Sequence, residues 1–211
     1  MNKGKRFIVF EGIDGSGKST QFRRFEDFLK KRKYDFISVR EPGGTNIGEG
    51  IRRILLDPAN TEMSLNTEML LYMASRAQLL NQRVIPALEK GKFVLGDRFI
   101  YSTLAYQGFA GGLSREAIMD VSKIVVGNYM PGLAIFYDVS PEVAAGRLNP
   151  LVDRIESQGL EFQRRVRKGY LALAVQDPER IKVINIDGLD VDKVHSRTVE
   201  IFDDYLKRLG T

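Results

Sequence analysis

Cysteine and tryptophan are both absent, and His195 is the single histidine in 211 residues. Without cysteine there is no disulfide framework, no thiolate nucleophile and no zinc–thiolate site. One histidine excludes a histidine-rich metal centre and leaves imidazole acid–base catalysis resting on one residue. Long apolar runs are missing too. The run behind the short basic start, Met1–Arg6, stops after four residues at Glu11. Nothing later approaches the roughly 18 apolar residues that a membrane span needs, so neither a signal peptide nor a membrane anchor is expected. The expected location is the cytoplasm. Charge of neither sign dominates: 32 Lys and Arg against 27 Asp and Glu give +5. That mild surplus favours anionic ligands without pointing to nucleic acid.

What is present fits one globular α/β domain. Hydrophobic residues make up 43% and charged residues 28%, a composition that excludes intrinsic disorder. No Pro/Gly/Ser-rich linker, repeat or heptad seam divides residues 1–211, so a single domain is expected. Apolar runs bounded by turn residues alternate with segments of helical period. The expected strands are Arg6–Glu11, Asp35–Arg40, Phe93–Asp97, Leu133–Asp138 and Ile181–Asp187. None alternates apolar with polar, as suits parallel strands covered on both faces. The expected helices are Gly17–Lys31, Ile47–Leu56, Thr67–Glu89, Ser114–Val126, Pro141–Arg147, Leu160–Gln176 and Val191–Arg208, with Pro86 kinking or ending the third. The fold class is therefore a three-layer α/β sandwich, a five-stranded parallel sheet flanked by helices. Two stretches do not read as scaffold, Glu41–Gly50 and Asn149–Gly159, and loops of this kind in an α/β fold bind ligands.

The sharpest motif is Gly12-Ile13-Asp14-Gly15-Ser16-Gly17-Lys18-Ser19, which fits GxxxxGK[ST] directly behind the first strand. Glycines there let backbone N–H groups converge on phosphate oxygens. Lys18 can reach the β- and γ-phosphates and the Ser19 hydroxyl can ligate Mg²⁺, with Thr20 next in line. The motif predicts a nucleoside triphosphate site over residues 12–20. No guanine-reading NKxD follows a strand, which weighs against a regulatory GTPase. The third strand ends in Asp97-Arg98, at the sheet edge where open α/β folds bind ligands. Asp97 can hold a magnesium-bound water and Arg98 can bridge two phosphoryl groups, although a surface ion pair would also look like this. Tyr72 and Arg76 stand four apart on one helix face, spaced for a pyrimidine clamp or for an ordinary half-buried pair. A guanidinium only donates, so it suits thymine O4 and opposes the cytosine amino group.

At this point the chain resembles the bacterial type of thymidylate kinase. The resemblance runs in order over nearly the whole length: FEGIDGSGKSTQ at Phe10–Gln21, REPGGT at Arg40–Thr45, LLYMASR at Leu70–Arg76, DRFIYSTLAYQG at Asp97–Gly108 and DRIE at Asp153–Glu156. It implies transfer of the γ-phosphoryl of ATP to dTMP with Mg²⁺, in a homodimer. It also implies that Asp14 contacts the sugar 3′-hydroxyl and the magnesium shell, that Glu41 and Pro42 wall the acceptor pocket and that Arg40 approaches its phosphate. Tyr72 and Arg76 would take the base, Thr103 and Gln107 would add polar contacts to it, and Tyr106 would sit near C2′ and favour deoxyribose. Glu156 joins Ser19, Asp97 and Asp14 as a candidate near the metal. A short lid is expected at about residues 144–159.

The chain departs from part of that family at Gly15, where some members carry an arginine. The positive charge that arrives on lid closure must then come from Arg154, favoured by its place in DRIE, from Arg147, or from Arg164 or Arg165 behind them. His195, among Asp192, Lys193 and Arg197, is expected to be a surface residue. Two other readings stay open: a different P-loop nucleoside or nucleoside-monophosphate kinase, and a nucleotide-binding module without turnover. Neither a nucleic-acid nor a membrane partner is expected, since the basic run Arg164, Arg165, Arg167 and Lys168 has no aromatic stacking platform.

Overall fold

The computed structural model describes residues 2–147, 154–155 and 158–210. Five parallel strands form one sheet in the order β2-β3-β1-β4-β5, with β1 Phe7–Glu11, β2 Phe36–Arg40, β3 Phe93–Asp97, β4 Leu133–Asp138 and β5 Ile181–Asn185. All five expected strands are present. The three central ones, β3, β1 and β4, are buried almost end to end, as their unbroken apolar runs require. The edge strands differ from expectation: β2 is mostly half-buried and β5 is open in part, because each has a neighbour on one side only.

The order places β1 in the middle, so the chain leaving Glu11 emerges at the carboxyl edge beside the end of β3. Phe10 is in register with Asp97. That pairing sets the phosphate loop next to Asp97-Arg98, although 79 residues separate Lys18 from Asp97. Phe7, Phe10 and Phe25 are fully buried, and Phe10 packs against both Phe22 and Phe25 of α1 (Lys18–Lys31), ring centroids 5.3 Å apart in each case. The loop is therefore clamped between a buried strand and a helix sealed to it by aromatic packing.

Three of the described helices have hydroxyl caps that the sequence carries in place, at Thr45, Ser64 and Ser114. Thr45 Oγ1 accepts from Gly48 N–H at 3.0 Å and starts α2 (Asn46–Leu56); Ser64 Oγ accepts from Thr67 N–H at 3.2 Å and starts α3 (Leu65–Leu79). Pro86 does not end the helix that follows. The chain widens into a π turn over Leu80–Val84 and resumes as α4 (Ile85–Glu89). Widening relieves the clash that a proline ring makes with the carbonyl four residues back in regular α geometry.

A second π segment follows β3. Behind β3 come a single turn, α5 (Ile100–Thr103), and a π stretch over Leu104–Ala110. The remaining helices are α6 (Arg115–Val126), α7 (Pro141–Ala145), α8 (Gly159–Gln176) and α9 (Val191–Leu209). Helix α8 lies directly on the π stretch: a Cβ on Gly169 would meet Phe109 Cβ at 2.7 Å. No helix of the described residues is long and apolar enough to cross a membrane.

Candidate active site

The phosphate loop holds its shape through glycine. Gly15 and Gly17 have φ of +78° and +73°, a region that L side chains avoid. No side chain among the described residues caps α1, and Thr20 N–H turns back to Gly17 O at 3.0 Å. Ser16 Oγ is buried without a hydrogen-bond partner among the described residues, while Ser19 and Thr20 are exposed at the start of α1. A glycine-shaped loop at an uncapped helix N-terminus, with an orphaned hydroxyl in it, suits an anionic ligand. Lys18 is buried and ion-paired to Asp97. Burial and the nearby Arg98 cation lower its pKa, against the pull of Asp97 and Asp14.

Arg98 is the hinge between this loop and a cleft beside it. Its backbone sits at φ +69°, a conformation costing about 1–2 kcal/mol for a side-chain-bearing residue, and its N–H donates to Phe10 O at 3.0 Å. The guanidinium donates through Nη1 to Gly12 O at 2.8 Å and through Nη2 to Asp14 Oδ1 at 2.6 Å, and lies 5.3 Å from the Tyr106 ring centroid. Burial alone would raise the Asp14 pKa. The Arg98 and Lys18 cations outweigh it and hold the carboxylate below its ordinary value.

The cleft is lined by Asp14, Glu41, Tyr72, Arg76, Arg98, Thr103, Tyr106 and Gln107. Eight of the candidates drawn from the sequence thus meet in one space. Its floor is the Arg76–Glu41 ion pair. Nε donates to Glu41 Oε1 and Oε2 at 3.1 and 2.9 Å, Nη2 to Glu41 Oε2 at 2.6 Å and to Thr103 Oγ1 at 3.1 Å, and Nη1 to Met73 Sδ at 3.2 Å. With five N–H groups available, one Nη1 hydrogen keeps no partner among the described residues. Arg76 also lies 4.9 Å from the Phe99 ring centroid. Burial pushes Glu41 up to about 7, with Arg76 holding it back from rising further. Pro42 is buried behind a cis Glu41–Pro42 bond, and the loop is tied to α3 by Gly43 N–H donating to Ser75 Oγ at 3.0 Å. Gln107 Nε2 donates to Glu68 Oε1 at 2.6 Å, which fixes the carboxamide at the far wall.

Other candidates lie elsewhere. Arg40 is exposed and paired to Glu49 at 3.1 Å, outside the cleft lining; Arg52 lines the cleft in its place, donating to Pro42 O at 3.0 Å. Arg147 Nη1 donates to Gly15 O at 3.3 Å, so it touches the phosphate loop. Arg154 does not: it is buried, donates through Nε to Leu55 O at 2.8 Å and pairs with Glu68 on α3. The Arg154 guanidinium is thus on the acceptor side in this structure, while Arg147 is the one of the two at the phosphate loop. Arg164 pairs with Glu142 and Glu161, and Arg165 donates to Ala110 O. Asp153 and Glu156 lie outside the described residues. His195 is half-buried rather than on the open surface, its ring 6.3 Å from Phe28, and is not part of the cleft lining.

Sequence reasoning missed Arg52, Phe99, Ser102 and Glu68. Arg52 carries one usable signal, its place two residues beyond the glycine-rich stretch Glu41–Gly50. The other three carry none, since each takes its role from a partner far along the chain.

A parallel sheet with this loop on its central strand, and a second polar cleft joined to it by one arginine, defines a P-loop kinase acting between two nucleotide sites. The comparisons sharpen the class. The sequence model of the thymidylate kinase family matches residues 10–198. A thymidylate kinase of Kosmotoga olearia is 47% identical over 97% of this chain and 98% of its own length, and one of Caldanaerobacter subterraneus subsp. tengcongensis 46% identical over 96% and 97%. The crystal structure of thymidylate kinase from Ehrlichia chaffeensis superposes with a TM-score of 0.77 at 31% identity, over 93% of this chain and 97% of that one. The chain belongs to the thymidylate kinase family.

Proposed function

We propose that this protein transfers the γ-phosphoryl group of ATP to dTMP, giving ADP and dTDP. The observation that carries the reading is Arg98, which touches Gly12 of the phosphate loop and Asp14 at the mouth of the cleft with the same guanidinium. Family membership supports ATP as donor and dTMP as acceptor.

The reaction needs no general base, because the attacking oxygen belongs to an ionised phosphate. That oxygen bonds to the γ-phosphorus as the bond to the β–γ bridging oxygen breaks, and ADP leaves with its electron pair. Catalysis is then positioning and charge neutralisation. Lys18 and the amides of residues 12–20 hold the donor phosphates, and Arg98 binds across the transferring group and the acceptor phosphate. Arg147 adds charge from the lid segment, about residues 144–159, which we place with the rest in one catalytic domain. No group of three or more Asp, Glu, His or Cys side chains suited to a metal occurs among the described residues. The donor set of Ser19 hydroxyl and Asp97 carboxylate fits a Mg²⁺ that draws its other oxygens from phosphate and water, with Asp14 nearby. Such an ion, when bound, neutralises phosphate charge.

Acceptor choice rests on the cleft. The Arg76 Nη1 hydrogen suits a carbonyl at the base edge, Tyr72 supplies a stacking face and Tyr106 approaches the sugar. Arg52 takes the place expected of Arg40 near the acceptor phosphate. A homodimer is supported by exposed apolar side chains on packed neighbours: Ile47 and Ile54 on α2, Leu70 on α3 and Ile124 on α6. The cytoplasm is the location that suits this chemistry.

The test is a coupled ADP-release assay with dTMP, dUMP, dCMP, the ribonucleotide TMP and thymidine. Preference for dTMP is expected. Preference for another acceptor would make the protein a different kinase of this class, and binding of ATP without ADP release would make it a module without turnover.

A further inference from the structure

Glu11, the last residue of β1, is only 1% exposed and takes part in no step described above. Its Oε1 accepts from Phe99 N–H at 2.9 Å. Its Oε2 accepts from Ser102 Oγ at 2.6 Å and from Tyr170 OH at 3.0 Å. The two hydroxyls are 2.8 Å from each other, and both also face Arg98 Nη1, Ser102 Oγ at 3.2 Å and Tyr170 OH at 3.4 Å.

The directions of these bonds follow from the groups. A guanidinium only donates and a carboxylate only accepts, while a hydroxyl has one hydrogen and two lone pairs. With Oε2 drawing hydrogens from Ser102 and Tyr170, their lone pairs are left to receive Arg98 Nη1. The chain of bonds runs one way, from Arg98 through the hydroxyls to Glu11. Arg98 needs such support because its backbone sits at φ +69° and its other anchors, Gly12 O and Asp14, belong to the loop and cleft that substrates enter. Tyr170 comes from α8, which begins at Gly159 just behind the lid segment, so the same network ties that helix to Arg98.

We propose that Glu11 is a positioning residue that orients the Ser102 and Tyr170 hydroxyls and, through them, aims the Arg98 guanidinium at the phosphoryl groups. This rests on the reading of Arg98 as the bridging arginine.

The decisive variant is Glu11→Gln. Phe99 N–H keeps an oxygen at the Oε1 position, so the amide NH₂ takes the Oε2 position and donates to the hydroxyls. Their hydrogens then turn toward Arg98 Nη1, donor against donor. The fold is changed by one isosteric group, and thermal melting checks it. In the assay with ATP and dTMP, kcat is expected to fall at least about tenfold, since a misaimed preorganised donor loses part of its electrostatic effect. KM for ATP is expected to stay within about twofold, as for a contact made chiefly in the transition state. Ser102→Ala/Tyr170→Phe removes the hydroxyls instead, and is expected to lower kcat with the same constancy of KM. Adding Glu11→Gln to that pair should cost much less than it does alone, because no hydroxyl remains to be reversed. A folded Glu11→Gln protein with kcat within about twofold of the parent overturns the proposal, as does an equal loss in both backgrounds. Should Glu11→Gln fail to fold, unchanged kcat in the hydroxyl-free pair overturns it by itself. Arg98→Ala separates the layers: if it keeps normal turnover, the reading of Arg98 fails and this inference with it. If it abolishes turnover while Glu11→Gln does not, only this inference fails.

Discussion

Arg76 Nη2 lies 2.6 Å from Glu41 Oε2, and both side chains are sealed from water beneath the cleft. A buried pair of this kind tolerates loss of neither partner. Glu41→Ala leaves a guanidinium unpaired in a low-dielectric site and is expected to destabilise the fold by about 3–5 kcal/mol. Chemical denaturation of the variant, compared with Glu41→Gln, measures it; the carboxamide keeps an acceptor for Arg76 and should cost less.

The same arginine lines the cleft and is the base reader proposed above. Arg76→Ala is expected to weaken dTMP binding and to narrow the gap between dTMP and dCMP, because the donor that opposes the cytosine amino group is gone. The ratio of kcat/KM for the two acceptors reads this directly. If discrimination stays undiminished, Gln107 becomes the base reader.

The pH dependence of stability follows from burial. Glu41 is raised to about 7, and Glu11 is also raised, by desolvation in each case. Between the ordinary carboxylate range and about pH 7, the folded protein therefore holds protons that the unfolded chain has released. Stability from these groups is fully present below the unfolded value and is lost as pH rises through the folded one. Asp14 is lowered, so its opposite contribution falls below its ordinary value of 3.8 and outside this window, whereas His195, lowered by burial, adds an opposing rise of stability with pH inside it. Urea unfolding at pH 5, 6 and 7 isolates the Glu41 part: the parent should lose stability with rising pH relative to Glu41→Gln.

At the proposed triphosphate site, Lys18→Ala removes the buried cation that is proposed to hold the donor phosphates. Turnover is expected to fall at least about 10²-fold, the scale for loss of a preorganised electrostatic group. Near-normal kcat in a folded variant would remove Lys18 from the catalytic set.

Much of this arrangement is legible in the chain because its signals are local. Five apolar runs, a glycine loop behind the first and Asp97-Arg98 closing the third determine the sheet and the phosphate site from neighbours in sequence. The misses share a cause. The π stretch at Leu104–Ala110 owes its shape to α8 packed on it, and Arg98 takes a left-handed backbone that no short-range propensity favours. Glu11 read as the residue ending a strand, since its partners Phe99, Ser102 and Tyr170 stand 88, 91 and 159 positions away. Arg52 was missed in favour of Arg40, because the side chain that faces the cleft depends on how α2 leaves the loop, which spacing does not give.

The lid arginines make the sharpest contrast between motif and geometry. Arg154 belongs to the DRIE match, yet its Nε is bonded to the last turn of α2 and its Nη2 to Glu68, which also holds Gln107. Arg147 belongs to no motif, and its Nη1 already touches Gly15 O in the phosphate loop. An arginine that stabilises a transferring phosphoryl can be worth about 10³-fold or more in kcat. Arg147→Ala should therefore lose kcat by orders of magnitude with a modest change in ATP affinity. Arg154→Ala should instead leave Glu68 without its cation and free the Gln107 wall, raising KM for dTMP with a smaller effect on kcat. Single-turnover rates with saturating nucleotides, beside equilibrium binding of ATP and dTMP, separate the two patterns. If Arg154→Ala shows the large kcat loss and Arg147→Ala keeps more than about a tenth of parental kcat, too little loss for an electrostatic role, the assignment of the lid arginine reverts to Arg154.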